Sequence, residues 1–308
     1  MSFFYHSLDF FSNDRDILFL KGVDCMKLIN SLLLYCRLLL AVVLFGTATV
    51  AGAQEVKLIS FNIRYNPYYQ TDGENRWDNR RDAVVKMIRK EAPAAIGLQE
   101  ALIDQLSYLD GKLVNYRRVG VGRDNGQNEG EFMAIYYDVD QLELVGYNTR
   151  WLSSTPGRVS RGWDAACKRT VTIARFRVKS TGKEFYYLNT HLDHVGPVAR
   201  AESTHLIAAL VEQRIVDSIP LIVGGDMNST IEDTIFNSFY GIGMQAARDM
   251  ARISSHAITY NAFGKRDGRA IDHFFVRNLS VKRFRTLNRN YGVPYISDHY
   301  PIEILVDL

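Results

Sequence analysis

Cysteine is nearly absent from this chain: Cys25, Cys36 and Cys167 are the only three in 308 residues. Two of them precede residue 54, in a segment that reads as a leader rather than as fold, so Cys167 alone remains for the domain. A single thiol forms no intramolecular disulfide and no cysteine cage for zinc. An excess of charge of one sign is also lacking. Lys and Arg number 37 against 34 Asp and Glu, a formal net charge of +3. Proteins that grip long nucleic acids through their phosphates carry a stronger basic bias. Local clusters at Arg158–Arg161, Lys168–Arg169, Lys265–Arg269 and Lys282–Arg285 leave that option open, although each alone reads as a solvated face. There is no short-period repeat and no low-complexity tract.

A long apolar run occurs only near the N-terminus, from Leu38 to Val50. Lys27 lies upstream of it, and Ala51-Gly52-Ala53 follows as a small-x-small site, the pattern of a secretory signal peptide. The run is short for a membrane span and Arg37 borders it, so a permanent anchor is the weaker reading. A lipoprotein is disfavoured because Tyr35 precedes Cys36. Asp14, Asp16 and Asp24 do not suit a basic n-region, so Met26 is the expected start and the residues before it an extension. The expected division is therefore residues 1–53 as extension and signal peptide and residues 54–308 as one large α/β domain. It implies export to a bacterial periplasm or the cell exterior, no membrane span after processing, and a monomer.

The remainder alternates strand and helix patterns. Strands are predicted at Val56–Phe61, Ala95–Leu98, Phe132–Tyr137, Leu142–Trp151, Arg169–Val178, Glu184–Asn189, Pro220–Gly224, Ala270–Val276, Leu279–Leu287 and Ile302–Val306. Helices are predicted at Trp77–Glu91, ended by Pro93, at Leu102–Leu109 and at Val198–Val216. Thr181-Gly182 reads as a hairpin turn. Two strand-dense halves, each with a major helix, predict two packed mixed sheets with helices outside.

Several of these strands end in polar or titratable residues. They are Asn62, Glu100, His191, Asp226 with Asn228, Asp272, and Asp298 with His299. A buried sheet tolerates such groups only where they converge on something that offsets their desolvation. An oxygen-rich set with two histidines suits a hard divalent cation and a phosphate. Asp226 and Asn228, two apart after Gly224-Gly225, point the same way; the Asp could hold an attacking water and the Asn a phosphoryl oxygen. Glu100 needs either a metal or an arginine. Asn62 is a metal ligand or an orienting group. His299 needs a carboxylate to keep it charged, for which Asp272 is the candidate, while His273 would face the other side of its strand. His191 and Asp193 share a face and fit a second acid/base unit.

The set Asn62, Gln99-Glu100, His191, Gly225-Asp226-Met227-Asn228, Ile271-Asp272-His273 and Ser297-Asp298-His299-Tyr300-Pro301 resembles the endonuclease/exonuclease/phosphatase superfamily. That group includes pancreatic deoxyribonuclease, AP endonucleases, sphingomyelinases, inositol polyphosphate 5-phosphatases and deadenylases. The resemblance runs from Val56 to Val306 in the family's order. It implies a four-layer α/β sandwich and a hydrolase needing Mg²⁺ or Mn²⁺. It implies Glu100 as main metal ligand with Asn62 and Asp298 beside it, Asp226 activating the water, and Asn228 orienting water and phosphate. Asp272 would hold His299, which stabilises the transition state. His191 would be the second histidine and Glu131 a carboxylate that can pair with it.

The substrate is less legible. The stretches NTHLDHVGPVAR and RWLSSTPGRVSRGWDAACKR resemble a bacterial branch near the deadenylase-like members, so the expected activity is that of a phosphodiesterase, a nuclease cleaving RNA or DNA, with a small-phosphoester hydrolase as the alternative. Export and modest charge favour a smaller phosphoester, such as a nucleotide, a lipid headgroup or an inositol phosphate. Trp151, Trp163, Arg161 and Arg169 are candidates to line a substrate pocket; otherwise the tryptophans are core and the arginines surface. A non-catalytic binding module would need no metal and turn over no phosphoester. If the leader is processed as its pattern indicates, mass spectrometry of exported protein will find Gln54 at the N-terminus; intact Met1 on folded cytoplasmic protein would refute it.

Overall fold

In the computed structural model the apolar runs pair into two mixed sheets that stack face to face. Residues 29–35, 55–68, 71–214, 218–265 and 268–308 are described, with Arg214 only as backbone. Contacts divide the chain into two units, residues 1–52 and 53–308. In the first, residues 29–35 form a short exposed helix; the rest of the expected leader lies outside the described residues. Among the described residues no helix is long and apolar enough to cross a membrane.

The second unit runs β1 (Glu55–Asn62), α1 (Trp77–Glu91), β2 (Ala95–Ala101), α2 (Ile103–Lys112), β3 (Tyr116–Val119), β4 (Phe132–Asp138), β5 (Leu142–Trp151), β6 (Thr170–Val178), β7 (Glu184–His191), α3 (Pro197–Arg214) and β8 (Leu221–Asp226). After two short helices and the two-residue strands β9 (Gln245–Ala246) and β10 (Ile253–Ser254) come β11 (Asp272–Arg277), β12 (Ser280–Thr286) and β13 (Ile302–Asp307). One sheet has the order β10-β12-β13-β1-β2-β4-β3 and the other β5-β6-β7-β8-β11-β9.

Alternation along each strand separates two faces, which is why the layers form. Val56 and Leu58 of β1 join Ile304, Ile222, Phe176 and Phe274 in the cluster between the sheets. Ile59 and Phe61 turn the other way and pack with Val84 and Ile88 of α1 and with Leu106 and Leu109 of α2. On the second sheet Val223, Leu188 and Phe275 turn outward onto Ile207 and Val211 of α3 and onto Phe236 and Phe239. The result is a helix/sheet/sheet/helix sandwich, as expected from the sequence.

The same parity carries polar residues into the slab between the sheets. In β1 it is Ser60 and Asn62, in β2 Gly97 and Gln99, and in β7 Tyr187, Asn189 and His191. Gln99 Nε2 donates to Ser60 Oγ at 3.0 Å and to Asn189 Oδ1 at 2.6 Å. Asn189 Nδ2 donates to the carbonyls of Leu98 and Ala134. Tyr187 Oη donates to the Ile59 carbonyl at 2.8 Å and accepts from Gly97 N at 3.2 Å. This layer ties the two sheets together directly beneath the rim where the candidate residues gather.

Helix α1 matches its predicted bounds, ending where Ala92 turns left-handed (φ 44°) before Pro93. The Thr181-Gly182 turn is present, with Gly182 N bonded to the Val178 carbonyl at 2.8 Å. Two features were not legible. Strand β3 lacks a clear apolar run, and the last two long strands return to the first sheet, so the sheets do not follow the two halves of the sequence.

Gly97 is required by close approach: a Cβ there would stand 2.6 Å from Tyr187 Oη and 2.7 Å from Asn189 Cγ. Both neighbours are buried and hydrogen-bonded, so Gly97→Ala should cost about 2 kcal/mol or more through overpacking. Tyr187→Phe should cost about 1–2 kcal/mol through the lost hydroxyl. Urea titration would measure both, and a neutral Gly97→Ala would show that this layer is loose.

Candidate active site

The strand ends place the polar residues on one rim. Asn62 ends β1 and Gln99-Glu100 lie near the end of β2, which is parallel to it. His191 ends β7 and pairs in register with Asp226 at the end of the parallel β8. Asp272 begins β11, opposite Asp226 in an antiparallel pair. Asp298 and His299 precede β13, which runs antiparallel to β1 and so starts at the same rim. Asn62, His191, Asp226 and Asp272 all share the parity that faces the opposite sheet.

Glu100 breaks that parity. After Gln99 it should face the helix side, but a register shift separates Leu98 from Ala101 and Glu100 adopts φ 61°. The bulge aims its carboxylate into the cleft instead. Asn228, after β8, is likewise left-handed at φ 49°. Non-glycine residues in this region carry about 1–3 kcal/mol of strain, which tends to gather at functional sites.

A cleft of about 600 Å³ opens at the rim, lined by Glu100, Glu131, His191, Asp226, Asn228, Asp298 and His299 together with Arg64, Arg123, Arg169 and Arg269. Asn62 Nδ2 donates at 3.0 Å both to Glu100 Oε1 and to Asp226 Oδ2, spanning the two sheets. Its Oδ1 accepts from Arg64 N at 2.9 Å. In this arrangement Asn62 orients both carboxylates through Nδ2, while its oxygen faces Arg64 N. Tyr65 N donates to Glu100 Oε2 at 3.1 Å, and Ser297 Oγ donates to the Asn62 carbonyl and to Asp298 Oδ1.

The two histidines are set apart electrically. His299 Nδ1 donates to Asp272 Oδ2 at 2.9 Å, and its Nε2 lies 3.6 Å from Asp226 Oδ2. Burial alone would lower its pKa, but Asp272, Asp226 and Asp298 together hold it well above the usual histidine value. His191 is pushed well below that value by burial and by Arg169 and Arg123. Neutral His191 accepts from Asn228 Nδ2 at 3.0 Å through Nε2, which lies 3.3 Å from Asp226 Oδ2. Burial, with repulsion from Asp272, raises Asp226 to about 7, opposed by His299. Asp226 Oδ1 is fixed by Asn228 N at 3.0 Å. A carboxylate poised there is suited to take a proton.

The residues fit a divalent cation. Glu100 and Asp298 line one cleft, and besides burial the Glu100 charge raises the pKa of Asp298. Only oxygen ligands are offered, which suits a hard ion. Asp226, Asp272 and His299 also bring ligand atoms within 4.8 Å of one another. There, however, the His299 charge already holds the carboxylates together and Nδ1 is engaged by Asp272.

Four expectations are corrected. Glu131 does not pair with His191; its carboxylate meets Arg123 at 2.7 Å, and burial raises it to about 7. His191 and Asp193 form no acid/base unit, because Asp193 is fully buried and taken up by backbone N–H groups and Arg169. Trp163 and Arg161 do not line the cleft: Trp163 is 39% exposed outside it and Arg161 lies in an adjoining groove. Trp151 is core, its Nε1 donating to the Arg123 carbonyl. Arg169 does line the cleft. His273 faces the opposite side as expected, packed against Phe236 and Phe275 and bonded to the Ser229 carbonyl.

Sequence reasoning missed Arg80. This fully buried side chain of α1 donates to the carbonyls of Ile63, Arg64, Asn75 and Ile296. It thus braces the loop after Asn62 against the loop before Asp298, and burial pushes its pKa down to about 10. One arginine among the three of an amphipathic helix gives no sequence signal of such a role. Arg64, Tyr65, Tyr260 and Arg269 also line the cleft unforeseen. The nearness of Arg64 and Tyr65 to the end of β1 was the only available hint.

A family model described as the Endonuclease/Exonuclease/phosphatase family matches residues 59–299. Among solved structures, an endonuclease/exonuclease/phosphatase from Bacteroides vulgatus is 33% identical, with a TM-score of 0.78 over 83% of this chain and 99% of its own. A mannosyl-6-phosphatase from Bacteroides thetaiotaomicron is 30% identical, with a TM-score of 0.77 over 82% of this chain and all of its own. Nocturnin from Drosophila melanogaster is 29% identical over 249 residues, 74% of this chain and 35% of that protein, so this chain spans about a third of its length.

At neutral pH, then, His299 should be protonated and His191 neutral in metal-free protein. The His299 contribution to stability is complete below the ordinary histidine pKa and fades as pH rises through the raised one. Ring ¹⁵N shifts recorded against pH would read both, with Asp272→Asn moving His299 toward ordinary behaviour. A neutral His299 at pH 7 in the unaltered protein would overturn the electrostatic account.

Proposed function

The chain belongs to the endonuclease/exonuclease/phosphatase family and is a hydrolase of phosphoester bonds, and on that premise we propose that it is a metal-dependent phosphatase acting on a small phosphorylated compound. One observation carries this reading. The reacting groups sit in a cleft of about 600 Å³ whose arginines and carboxylates nearly balance, which suits one phosphate and one cation rather than a polyanion. The net charge of +3 agrees. The full-length likeness to a mannosyl-6-phosphatase supports a sugar phosphate as substrate class. A nuclease acting on RNA or DNA ends is the second reading, favoured by the likeness to nocturnin.

Asp226 takes a proton from a water as the water oxygen attacks phosphorus and the ester P–O bond breaks, the leaving oxygen departing with a proton from solvent. Asn62 and Asn228 N fix the two oxygens of Asp226, so the base is already oriented. His299, charged and held by Asp272, stabilises the phosphoryl oxygens as charge builds on them. His191, neutral and joined to Asn228, steadies that amide beside the phosphate. Glu100 and Asp298 would hold Mg²⁺ or Mn²⁺, with Asn62 orienting Glu100, and the ion would supply further charge neutralisation at phosphorus. We also propose, on the pattern of Met26–Ala53, that the enzyme works outside the cytoplasm and without a membrane span.

Residues 54–308 assayed with magnesium or manganese should turn over p-nitrophenyl phosphate and hexose 6-phosphates faster than single-stranded RNA or DNA, and chelation should abolish the activity. Asp226→Asn and His299→Ala should each lower turnover by about 10²–10⁴. Asp272→Asn should cost less, and adding it to His299→Ala should cost little more, since the pair acts as a unit. His273→Ala should remain active. Preference for nucleic acid would decide for the second reading, and near-normal Asp226→Asn turnover would remove Asp226 as the base.

A further inference from the structure

We infer that Arg169 and His194 form a clamp for the terminal oxygens of a phosphomonoester, and that this clamp makes the cleft select monoesters over diesters. The inference rests on the phosphatase reading and names the residues that would enforce it. Arg169 is buried, yet lines the cleft with His194. Its Nε donates to Asp193 Oδ2 at 3.1 Å and its Nη2 lies 2.9 Å from His194 Nδ1. A guanidinium has only donors and keeps its proton. His194 Nδ1 must therefore accept, which leaves the ring proton on Nε2. That atom is a hydrogen-bond donor on an exposed side chain at the wall of the cleft.

The clamp is rigid. Asp193 has no exposure, and its carboxylate also takes the N–H groups of Ala166, Cys167, Val195 and Gly196. Arg200 Nη1 donates to its carbonyl at 2.9 Å. A second aspartate, Asp164, receives Val198 N and Ala199 N at the start of α3. The loop from Asp164 to Arg169 is thus fastened twice to the segment from Asp193 to Ala199. Asp193 is a positioning residue: it fixes the direction of Arg169 before any ligand arrives, so little ordering is left for binding. Arg169 lines the same cleft as His191 and Glu131, beside the groups proposed to react rather than at a remote surface.

A wall of fixed donors rewards a ligand made only of acceptors. A phosphomonoester dianion presents three terminal oxygens. A diester presents two and puts a carbon substituent where the third would be, leaving a donor unpaired at a cost.

His194→Asn tests this, because the asparagine oxygen can still accept from Arg169 while the Nε2 donor is lost. Arg169→Lys keeps the charge and loses the fork. The readouts are kcat and KM with magnesium on p-nitrophenyl phosphate and bis-p-nitrophenyl phosphate, inhibition by inorganic phosphate, and thermal unfolding. For His194→Asn the expected result is a rise of about tenfold in the monoester KM and in the phosphate inhibition constant, the size of one lost charge-assisted hydrogen bond. The monoester-to-diester selectivity should fall by a similar factor and Tm should hold. Unchanged selectivity with unchanged phosphate inhibition would overturn the clamp, as would equal losses on both esters. Should Arg169→Lys fail to fold, His194→Asn still decides. An unaltered enzyme that cleaves only diesters would refute the phosphatase reading instead, and phosphate inhibition of that diester reaction would still report on the clamp.

Discussion

One carboxamide holds the rim together. Asn62 reaches from the first sheet to Asp226 on the second and to Glu100 beside it, giving one hydrogen bond to each carboxylate at 3.0 Å. Both partners are anionic when working, and two such groups crowded at a dry rim repel. A neutral donor between them lowers that cost without cancelling the charge that a cation would need. Its own place is set from two sides, by Arg64 N on the side-chain oxygen and by Ser297 Oγ on the backbone carbonyl. Arg80 braces the same two loops from beneath. The distance between Asp226 and Glu100 thus depends on how the sheets stack, and the Gln99–Asn189–Tyr187 layer fixes that stacking.

Around this anchor the charges are sorted by neighbours, since burial acts on all of them alike. His191 and His299 are both about 4% exposed, and Asp226 lies within 3.6 Å of a ring nitrogen of each. Arginines stand behind His191 and carboxylates behind His299, so the first is held neutral and the second charged. One fold thereby sets a hydrogen-bond acceptor and a cationic ring a few ångströms apart, with the Asp226 carboxylate between them.

The layered fold was legible because alternation of two and periodicity of 3.6 are local properties: α1 and β5 match their predicted limits, and each long strand lies within a few residues of its run. The site was legible as a set of strand ends because parity carries Asn62, His191, Asp226 and Asp272 to one face. Partnerships were not legible. That Glu131 turns to Arg123, that Asp193 serves Arg169, and that β12 and β13 return to the first sheet all depend on contacts that only the folded chain makes. Nothing local marks Arg80 either, since its role is to bond carbonyls whose positions exist only once the loops have folded.

Two of the irregular backbone positions lie at the rim. Glu100 would face the helices if β2 stayed regular, and Asn228 would not need a left-handed backbone in an ordinary turn. Each departs from the local preference by a conformation costing on the order of 1–3 kcal/mol. Each gains a polar contact at the rim in return: Glu100 with Asn62 and Tyr65 N, Asn228 with His191 and the Leu192 carbonyl. Contacts of this size, those of Glu100 being to a carboxylate, are comparable with the strain. The irregular backbone is thus matched by the polar contacts of the rim, and it turns Glu100 and Asn228 into the cleft.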